Sequence, residues 1–552
     1  MRSFCFFIFF NIFFSGFGLA QDSTQTVDWI ILSANIYTSN PSQPKAEAMA
    51  IDKGKIVGLG SNKIILSHYK ATKTDSLQGK TITAGMIDAH CHFYGYGTTL
   101  GTVNLVGTQS FEEVISKVID FQKTNKRRWL TGRGWDQNDW KDQQFPNKDT
   151  LDVLFPNTPV LLRRIDGHAA LANQKALDLA KISTKTSIEG GFIEQKNGKL
   201  TGILLDNAVD LVIKKIPKLN PKEQTDALLN AQQKCFEAGL TCVADAGLDL
   251  QTVQLIDKLQ TKNKLQIKVY AMLNPNEENF EFAQKKGVYQ TNRLVVRSFK
   301  VYGDGALGSR GAFLKQPYSD QADTKGFLLA DSNYFRSMAQ RCKNLGYQMN
   351  THCIGDASNS LLLTIYSQML DPKNDLRWRI EHAQTIDSVD FIKFKNYNII
   401  PSVQPTHATS DMYWASKRLG MARLKTAYAY QTLWQQNGYL ALGSDFPIED
   451  INPLFGFHAA TARQDANAFP DGGFQPENKL TREQALLGMT YFAAKSQFME
   501  NKIGQIKIGF DADFVVLDEN LMTIDPKNIR QIKVLKTVIN GQEVFSKESL
   551  KH

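Results

Sequence analysis

Eight short apolar runs, most of them followed by a charged segment with helical character, recur through the middle of this sequence. Apolar runs of this length predict buried strands, and their alternation with helices predicts a parallel α/β fold. The runs occupy residues 85–92, 240–246, 265–273, 295–305, 347–353, 377–384, 399–407 and 439–447. Eight strand–helix units are the number that closes a (β/α)8 barrel of the TIM type, so we predict that architecture.

Strand-like segments also flank the barrel on both sides. A chain of 552 residues is too long for one hydrophobic core, so additional domains are expected. Residues 21–84 and 502–552 share alternating apolar patterns, which predicts one composite β-sandwich domain built from both termini. The barrel would then span 85–501. The segment 105–238 is too long for a single loop, so we predict a subdomain inserted after barrel strand 1, over the active-site face.

The first twenty residues have the pattern of a secretory signal peptide. Arg2 precedes an apolar run rich in phenylalanine, and the small residues Gly18 and Ala20 end it. An uncleaved membrane anchor is the alternative, but the run is short for a span of about 20 residues and is interrupted by Asn11. We therefore expect cleavage after residue 20 and export to the periplasm or the exterior, with no membrane contact afterwards.

Charge and cysteine content exclude several classes of function. The formal net charge of +9 is dispersed, without the basic block of a nucleic-acid-binding surface, and a solvated basic surface is the simpler interpretation. Five cysteines remain beyond the signal, without a CxxC pair, so neither a disulfide framework nor a zinc knuckle is expected. The expected partner is a small-molecule substrate, and the chain could be a monomer or a homodimer.

Four histidines stand at the carboxyl ends of predicted barrel strands. His90 and His92 are two residues apart after strand 1, which turns both imidazoles to one face, and His352 and His382 follow strands 5 and 6. A single HxH pair is often incidental. Those strand ends meet at one mouth of a barrel, however, and imidazole is a common ligand of zinc-like ions. Together the four predict a metal centre.

Two further residues stand at comparable positions. Lys300 lies in the fourth run among apolar neighbours, so its amine is predicted to enter the barrel, where burial lowers the pKa of a lysine. A neutral amine can form a carbamate with carbon dioxide, and a carbamate can bridge two metal ions. An interior ion pair with Asp304 is equally compatible with the position. Asp445 ends the eighth run, where it could bind metal and accept a proton or could simply cap a helix.

This ordered set resembles the amidohydrolase superfamily, in which an HxH pair, a strand-4 lysine, single histidines after strands 5 and 6 and a strand-8 aspartate bind the metals. Six longer motifs narrow the resemblance: GWDQNDW (134–140), RIDGHAALAN (164–173), FKVYGDGALGSRGA (299–312), RIEHAQ (379–384), GSDFPI (443–448) and the tail GQIKIGFDADFVVLDEN (504–520). They resemble amidohydrolase family 3, which includes proteins similar to N-substituted formamide deformylase.

The resemblance implies a role for each member of the set. It implies that one or two divalent ions, zinc-like in their ligands, are bound by His90, His92, Lys300, His352, His382 and Asp445. It also implies a carbamate derived from carbon dioxide on Lys300, and Asp445 as catalytic base.

Several other residues are candidates for substrate contact. The tryptophans Trp129, Trp135 and Trp140 fall in one short stretch of the insertion and could form an aromatic wall over the metals, or the core of the insertion itself. The remaining candidates share positions in or beside the family-like motifs or at a strand end: Asp136, His168, Asp304 and His407. For His168 and His407 a structural role is the alternative.

The function expected from these features is metal-dependent hydrolysis of a non-peptide C–N bond in an amide, an N-substituted formamide or a cyclic amide. A metal-activated hydroxide would attack the carbonyl carbon and Asp445 would accept the proton, with a metal, His382 or His168 stabilising the oxyanion. Two alternatives stay open. Similar barrels hydrolyse lactones or phosphoesters, and a periplasmic binding protein could use the same scaffold without catalysis.

Overall fold

The computed structural model describes residues 24–125, 128–167, 169–188 and 191–547. The predicted signal peptide and His168 lie outside these described residues. We number the barrel strands β1 to β8: Met86–Cys91, Leu240–Leu248, Lys268–Leu273, Leu294–Tyr302, Gln348–Cys353, Arg379–His382, Ile400–Val403 and Ala441–Leu442. They form parallel ladders in the order β1 to β8, and each strand coincides with one of the eight runs of the sequence.

The barrel closes where the loop after β8 meets the end of β1. The backbone amide of Asp445 donates to the carbonyl of His90 at 2.8 Å, and the amide of His92 donates to the carbonyl of Phe446 at 2.8 Å. Gly443 makes this approach possible, because a Cβ at that position would lie 2.6 Å from the His90 nitrogen. The loop that carries Asp445 is thereby held directly against the loop that carries the histidine pair.

Helices cover the outside of the barrel. The one before β2 begins with a capping box, in which Asn220 and Glu223 satisfy each other's backbone amides, and Pro221 occupies the first turn. The helices of the barrel are Phe93–Thr99, Pro221–Glu237, Leu250–Thr261, Glu277–Lys286, Ser332–Leu345, Asp356–Met369, Phe391–Asn396, Pro405–Asp411, Ala415–Leu424, Tyr430–Asn437, Pro453–Ala462, Arg482–Gly488 and Tyr491–Ser496. Among the described residues, no helix is long and apolar enough to span a membrane.

Two sheets at the termini form the composite β-domain. One has the order Lys55–Gly60, Ala48–Asp52, Gln25–Leu32 and Tyr69–Ser76; the other has the order Gln542–Ser546, Val534–Ile539, Phe514–Leu517, Thr81–Ala84, Asn35–Tyr37 and Lys45–Ala46. Ile82 lies opposite Val516 in the antiparallel ladder that joins the two termini. Trp29 and Met49 of the first sheet pack with Phe514 of the second. The predicted fold class is confirmed.

The insertion after β1 has a six-stranded sheet of its own. Its order is Gly191–Lys196, Lys199–Asp206, Ala169–Ala172, Val160–Arg164, Leu130–Trp135 and Val103–Asn104. Its helices are Phe111–Asn125, Asp149–Leu154, Gln174–Leu179 and Asn207–Ile213. The next helix, Pro221–Glu237, buries Leu228 and Phe236 in the barrel core.

One buried ion pair joins the barrel to the composite β-domain. Lys268 of β3 is fully buried, and its ammonium donates to Asp511 at 2.9 Å and also to Asp513. Asn540 accepts a further hydrogen bond from the same ammonium at 3.0 Å. The buried ammonium of Lys268 therefore compensates the carboxylates of Asp511 and Asp513, and Asp511 has a second partner in Lys55.

We predict that Lys268→Met lowers the free energy of unfolding by about 3 to 5 kcal/mol, because it leaves buried carboxylates without their partner. The lower end of that range is expected, since Asp511 keeps Lys55 at 2.6 Å. Urea denaturation followed by circular dichroism measures the change. Lys222→Met is the control, because its ion pair with Asp226 is exposed and its loss should leave the unfolding midpoint unchanged. Equal midpoints for Lys268→Met and the unaltered protein would contradict the assignment.

Candidate metal centre

Histidine side chains from three barrel strands converge at the carboxyl end of the barrel. The ring centroids of His90 and His382 are 4.9 Å apart, those of His352 and His382 are 4.6 Å apart, and those of His90 and His92 are 5.9 Å apart. The four histidines named from the sequence therefore form one cluster. They meet because parallel strands place their carboxyl ends on one rim.

A buried carboxylate fixes the orientation of His90. Glu381 of β6 is hydrogen-bonded to His90 Nδ1, which turns His90 Nε2 towards the centre of the cluster. Arg379 donates to both oxygens of Glu381, at 2.6 and 2.7 Å. Burial raises the pKa of a carboxyl, but the Arg379 guanidinium and His90 outweigh it and hold the pKa of Glu381 well below its usual range. Glu381 is therefore a permanent anion behind His90.

The other histidines are oriented in the same manner. His92 Nδ1 lies 3.0 Å from the carbonyl oxygen of Ala246, and His382 Nδ1 lies 2.7 Å from Oε1 of Gln404. Because an amide oxygen only accepts, Nδ1 of His382 carries the proton and its Nε2 offers a lone pair to the centre. The backbone φ of His382 is 70°, a left-handed conformation that a non-glycine residue adopts only when its surroundings enforce it.

Asp445 stands between these histidines. Its Oδ1 lies 3.2 Å from His92 Nε2 and 3.6 Å from His90 Nε2, and its Oδ2 lies 3.4 Å from His407 Nε2. Its backbone φ of 65° is again left-handed, so the residue does not serve as an ordinary helix cap. Burial raises the pKa of this carboxyl, but the contacts with His407 and His92 outweigh burial and hold it well below the usual range.

Lys300 is buried beside His90. Its Nζ lies 3.1 Å from His90 Nε2, and burial lowers the pKa of the amine from 10.5 to about 8. The alternative ion pair with Asp304 is absent from this part of the described structure. The Asp304 carboxylate instead accepts the backbone amides of Phe313, Ile354 and Gly355, at 2.8 to 3.0 Å.

Three of the imidazoles have lowered pKa values, which favours metal ligation. Burial and the positive charge of Lys300 lower the pKa of His90 to about 4 and that of His352 to about 3. Burial and the neighbouring His352 hold the pKa of His382 well below its usual range. A metal ligand must be deprotonated, so these rings are ready to bind at neutral pH without first losing a proton.

Donor chemistry and unsatisfied atoms both fit a divalent ion. Within the described residues, His352 Nε2 and Asp445 Oδ1 are buried without a hydrogen-bond partner. Two groups of donors lie within 4.8 Å of one another: His90, His92 and Asp445, and His382, His407 and Asp445. Imidazole and carboxylate donors in this number suit zinc-like ions. Of the six ligands predicted from the sequence, three form the first group, and His382 joins Asp445 in the second.

The candidate substrate residues Trp135 and Asp136 make their contacts within the insertion itself. Trp135 is 1% exposed, packs with Trp140 in the core of the insertion, and donates its indole N–H to the carbonyl of Leu162. Trp135 therefore belongs to the hydrophobic core of the insertion and does not form an aromatic wall over the metals. Asp136 caps the short helix Gln137–Asp139 and pairs with Arg164 at 2.5 Å. Its carboxylate is committed to that local contact.

The other two described candidates stand nearer the centre. Asp304 lies 3.9 Å from His352 Nε2, but its oxygens are engaged by the backbone amides of the loops after β4 and β5. Asp304 therefore fixes the loops after β4 and β5 to each other at the carboxyl end of the barrel. His407 contacts Asp445 directly and, through Nδ1, Glu449 at 3.2 Å. Burial lowers the pKa of His407, but the hydrogen bonds and charges of Asp445 and Glu449 outweigh it and raise the pKa to about 10.

Sequence reasoning missed the supporting carboxylates. Asp88 accepts the amide of His90 at 3.0 Å and the hydroxyl of Ser444 at 2.6 Å, which locks β1 to the loop after β8. Burial raises its pKa to about 7. Glu381 and Glu449 support His90 and His407. A signal was available for Asp88 and Glu381, since each is an acidic residue inside an apolar barrel strand next to a predicted ligand.

Comparison with known proteins agrees with these observations. The family model described as the amidohydrolase family matches residues 74–545. The YtcJ protein of Bacillus subtilis (strain 168) is 31% identical over 524 residues, covering 93% of this chain and 98% of its own. The N-substituted formamide deformylase of Arthrobacter pascens is 24% identical over 552 residues, covering 94% of this chain and 98% of its own.

A solved structure has the same fold. An uncharacterized metal-dependent hydrolase from Pyrococcus horikoshii OT3 superposes with a TM-score of 0.76 at 26% identity, covering 90% of this chain and 99% of its own. Together with the matching family model, this confirms the resemblance inferred from the sequence motifs.

We predict that Glu381→Gln weakens metal binding about 10- to 100-fold, because it removes the anion that orients His90 and sets its proton on Nδ1. Competition with a chromophoric chelator measures the affinity. Glu500→Gln is the matched control, since Glu500 also pairs with an arginine, Arg377 at 2.8 Å, but near the opposite end of β6. Unchanged affinity in Glu381→Gln, or an equal loss in both variants, would contradict the role given to Glu381.

Proposed function

This chain belongs to the amidohydrolase family, and from that membership we propose that it hydrolyses a carbon–nitrogen bond other than a peptide bond. It is a metal-dependent hydrolase on the strength of its family, its fold and its donor cluster. The proposed substrates are small amides, N-substituted formamides or cyclic amides. A relative named N-substituted formamide deformylase supports this choice of bond.

The observation that carries the proposal is the position of Asp445. One ionised carboxylate touches His92 and His407 and lies beside His90, at the rim where Lys300 is also buried. Active sites are the usual place for a buried carboxylate kept charged by imidazoles. This arrangement supports hydrolysis in which a base and metal donors act on one water molecule.

The residues of this chain have separable tasks in the proposed reaction. His90, His92, Lys300, His352, His382 and Asp445 would hold the metal, and a bound divalent ion lowers the pKa of water and polarises a carbonyl. Asp445 accepts the proton of the attacking water and returns it to the departing nitrogen. Nε2 of His382 has no proton to donate, because Nδ1 carries it towards Gln404, so His382 is a ligand rather than an oxyanion donor.

Further parts of the proposal concern the setting of the enzyme. We propose that it is exported, on the basis of the signal-like residues 1–20, and that the metal is zinc, on the basis of the imidazole-rich donors. We also propose that Lys300 is carboxylated, because its amine is buried and its pKa is lowered to about 8.

We predict that Asp445→Asn lowers turnover of the amide substrate by about 10²- to 10⁴-fold, because the base is lost, while part of the metal is retained. Steady-state kinetics and elemental analysis measure the two effects. Asp450→Asn is the control on the same loop, because the carboxylate of Asp450 is exposed and accepts only the backbone amide of Asn452 among the hydrogen bonds of the described residues. Full activity in Asp445→Asn would refute the assignment of the base.

A substrate panel distinguishes the bond that is cleaved. N-formyl amines, N-acyl amino acids, lactones and aryl phosphates are offered to the metal-loaded protein. Turnover of the first two is expected, and turnover of only the last two would reject the C–N assignment. Binding of an amide without turnover, equal in the unaltered protein and in Asp445→Asn, would indicate a non-catalytic binding protein.

We predict that the metal-free protein takes up carbon dioxide on Lys300 increasingly as the pH rises through about 8. Only the neutral amine reacts, and its fraction falls about tenfold for each pH unit below the pKa. Carbon-13 NMR with labelled bicarbonate, at constant dissolved carbon dioxide, measures the carbamate. The signal should vanish in Lys300→Met and persist in Lys315→Met, whose lysine pairs with Asp387 at 2.6 Å. A signal that survives Lys300→Met would locate the carbamate elsewhere.

A further inference from the structure

Two arginines of the insertion lie side by side on neighbouring strands. Arg133, on Leu130–Trp135, is the register partner of Arg163, on Val160–Arg164, in a parallel ladder. Register partners project to the same face of a sheet, and neighbouring strands are about 4.8 Å apart. Like charges at that spacing repel each other unless an opposite charge compensates them. A pair of this kind is therefore expected to have an anionic partner.

Both guanidinium groups approach the same point in the turn that follows the second of these strands. A Cβ on Gly167 would lie 3.0 Å from Nη2 of Arg163 and 3.3 Å from Nη2 of Arg133. The backbone φ of Gly167 is 79°, a conformation that also favours glycine. Glycine at this position keeps a side chain from separating the two cationic groups.

Neighbouring groups engage only part of this donor set. A guanidinium has five N–H donors. Among the described residues, Arg133 donates through Nε and Nη2 to the carbonyl of Ile165, at 3.3 and 2.9 Å, and Arg163 donates through Nη2 to the carbonyl of Gly167, at 3.1 Å. Nε of Arg163 is buried without a hydrogen-bond partner in the same part of the chain. A buried donor of a charged group without an acceptor is costly, so the donor set points to an acceptor that a ligand brings.

The acidic residues near the pair do not act as its counter-ions in the described structure. Asp166, in the same turn, pairs with Arg164 at 2.6 Å. Asp210 and Asp166 attract Arg163 electrostatically, but burial outweighs them and lowers the pKa of its guanidinium. The ion pairs of this turn thus belong to Arg164, and the positive charge of Arg133 and Arg163 stays uncompensated by an ion pair.

Arg133 also lies within electrostatic reach of the candidate metal centre. Burial and the adjacent arginine lower the pKa of Arg133 to about 10, and the carboxylate of Asp445 is the strongest charge that opposes this effect. Coulomb attraction falls with distance, so Arg133 lies on the side of the insertion that faces Asp445. The next strand of the sheet, Val103–Asn104, follows the helix Phe93–Thr99, which begins at the residue after His92. The chain thus connects the arginine face to the histidine pair by one short helix.

We propose that Arg133 and Arg163 bind a carboxylate of the substrate, so that the enzyme selects acidic amides, such as N-acyl amino acids, over neutral amides. This inference rests on the proposed C–N hydrolysis and narrows its substrate class. The fork of an arginine matches the two oxygens of a carboxylate. A carboxylate bound here compensates both charges and accepts the N–H groups that the turn leaves unpaired. The competing explanation is structural, with the two arginines serving only to hold the carbonyls of the turn.

The test compares the ketone analogues of N-acetylphenylalanine and N-acetylphenethylamine, in which a methylene group replaces the amide nitrogen so that neither is hydrolysed. Only the first carries a carboxylate. Isothermal titration calorimetry with the metal-loaded full-length protein measures both dissociation constants. The unaltered protein is expected to bind the acid about 100-fold more tightly than the neutral ketone, and Arg133→Gln and Arg163→Gln are each expected to lower that ratio about 10-fold, with unchanged affinity for the neutral ketone.

Two controls separate carboxylate binding from a structural role. Arg482→Gln is the matched control, because Arg482 likewise donates to backbone carbonyls, those of Leu521 and Ile524. It should leave both dissociation constants unchanged. Arg163→Lys keeps the positive charge without the fork, so it should retain part of the preference for the acid.

Equal affinity for the two ketones in the unaltered protein would overturn the inference, as would an undiminished preference for the acid in both Arg133→Gln and Arg163→Gln. A parallel loss of both ketones in these variants would favour the structural explanation and overturn it as well. The proposed reaction is judged separately. Hydrolysis of N-formyl amines without a carboxylate would uphold C–N cleavage even if the acid were not preferred, and failure of the substrate panel would leave acid-selective binding intact.

Discussion

The contact between the end of β1 and the loop after β8 underlies the whole centre. Two backbone hydrogen bonds of 2.8 Å join Asp445 to His90 and His92 to Phe446, and the carboxylate of Asp88 ties Ser444 to the same strand. This contact closes the barrel and brings a carboxylate more than 350 residues along the chain against the histidine pair. The candidate metal donors from both ends of the barrel sequence face one another only because the cylinder closes here.

The centre brings ionisable side chains together in a buried environment, where an uncompensated charge is unfavourable. Neighbouring carboxylates supply the opposite charge. Lys300 and Arg379 are buried cationic side chains of this centre. Three imidazoles beside them, those of His90, His352 and His382, have lowered pKa values. Glu381 and Asp445 supply the matching negative charge. Unpaired, each of these groups would destabilise the fold by several kcal/mol, so the network is held together by electrostatic pairing as well as by packing. It also holds each donor in one orientation before any ion is present.

The insertion and the composite β-domain support this centre in different ways. The β-domain meets the barrel at Lys268, on the third strand, through the carboxylates of Asp511 and Asp513. The insertion follows the helix Phe93–Thr99, and its aromatic residues stabilise its own core, as Trp135 illustrates. Short-range pattern alone could not distinguish an aromatic wall from an aromatic core, because both need large apolar side chains near one another in sequence.

The amino-acid sequence by itself determined the eight strands, the composite ends and the four histidines that cluster at the barrel mouth, since periodicity and position at strand ends follow from local backbone geometry. Tertiary structure alone decided that Lys300 approaches His90 and not Asp304, and that Asp304 binds backbone amides. It alone also revealed that Glu381 and Glu449 stand behind His90 and His407. These are contacts between residues distant in the chain, and their distances depend on the closed barrel and the packing of its loops, which no local pattern encodes.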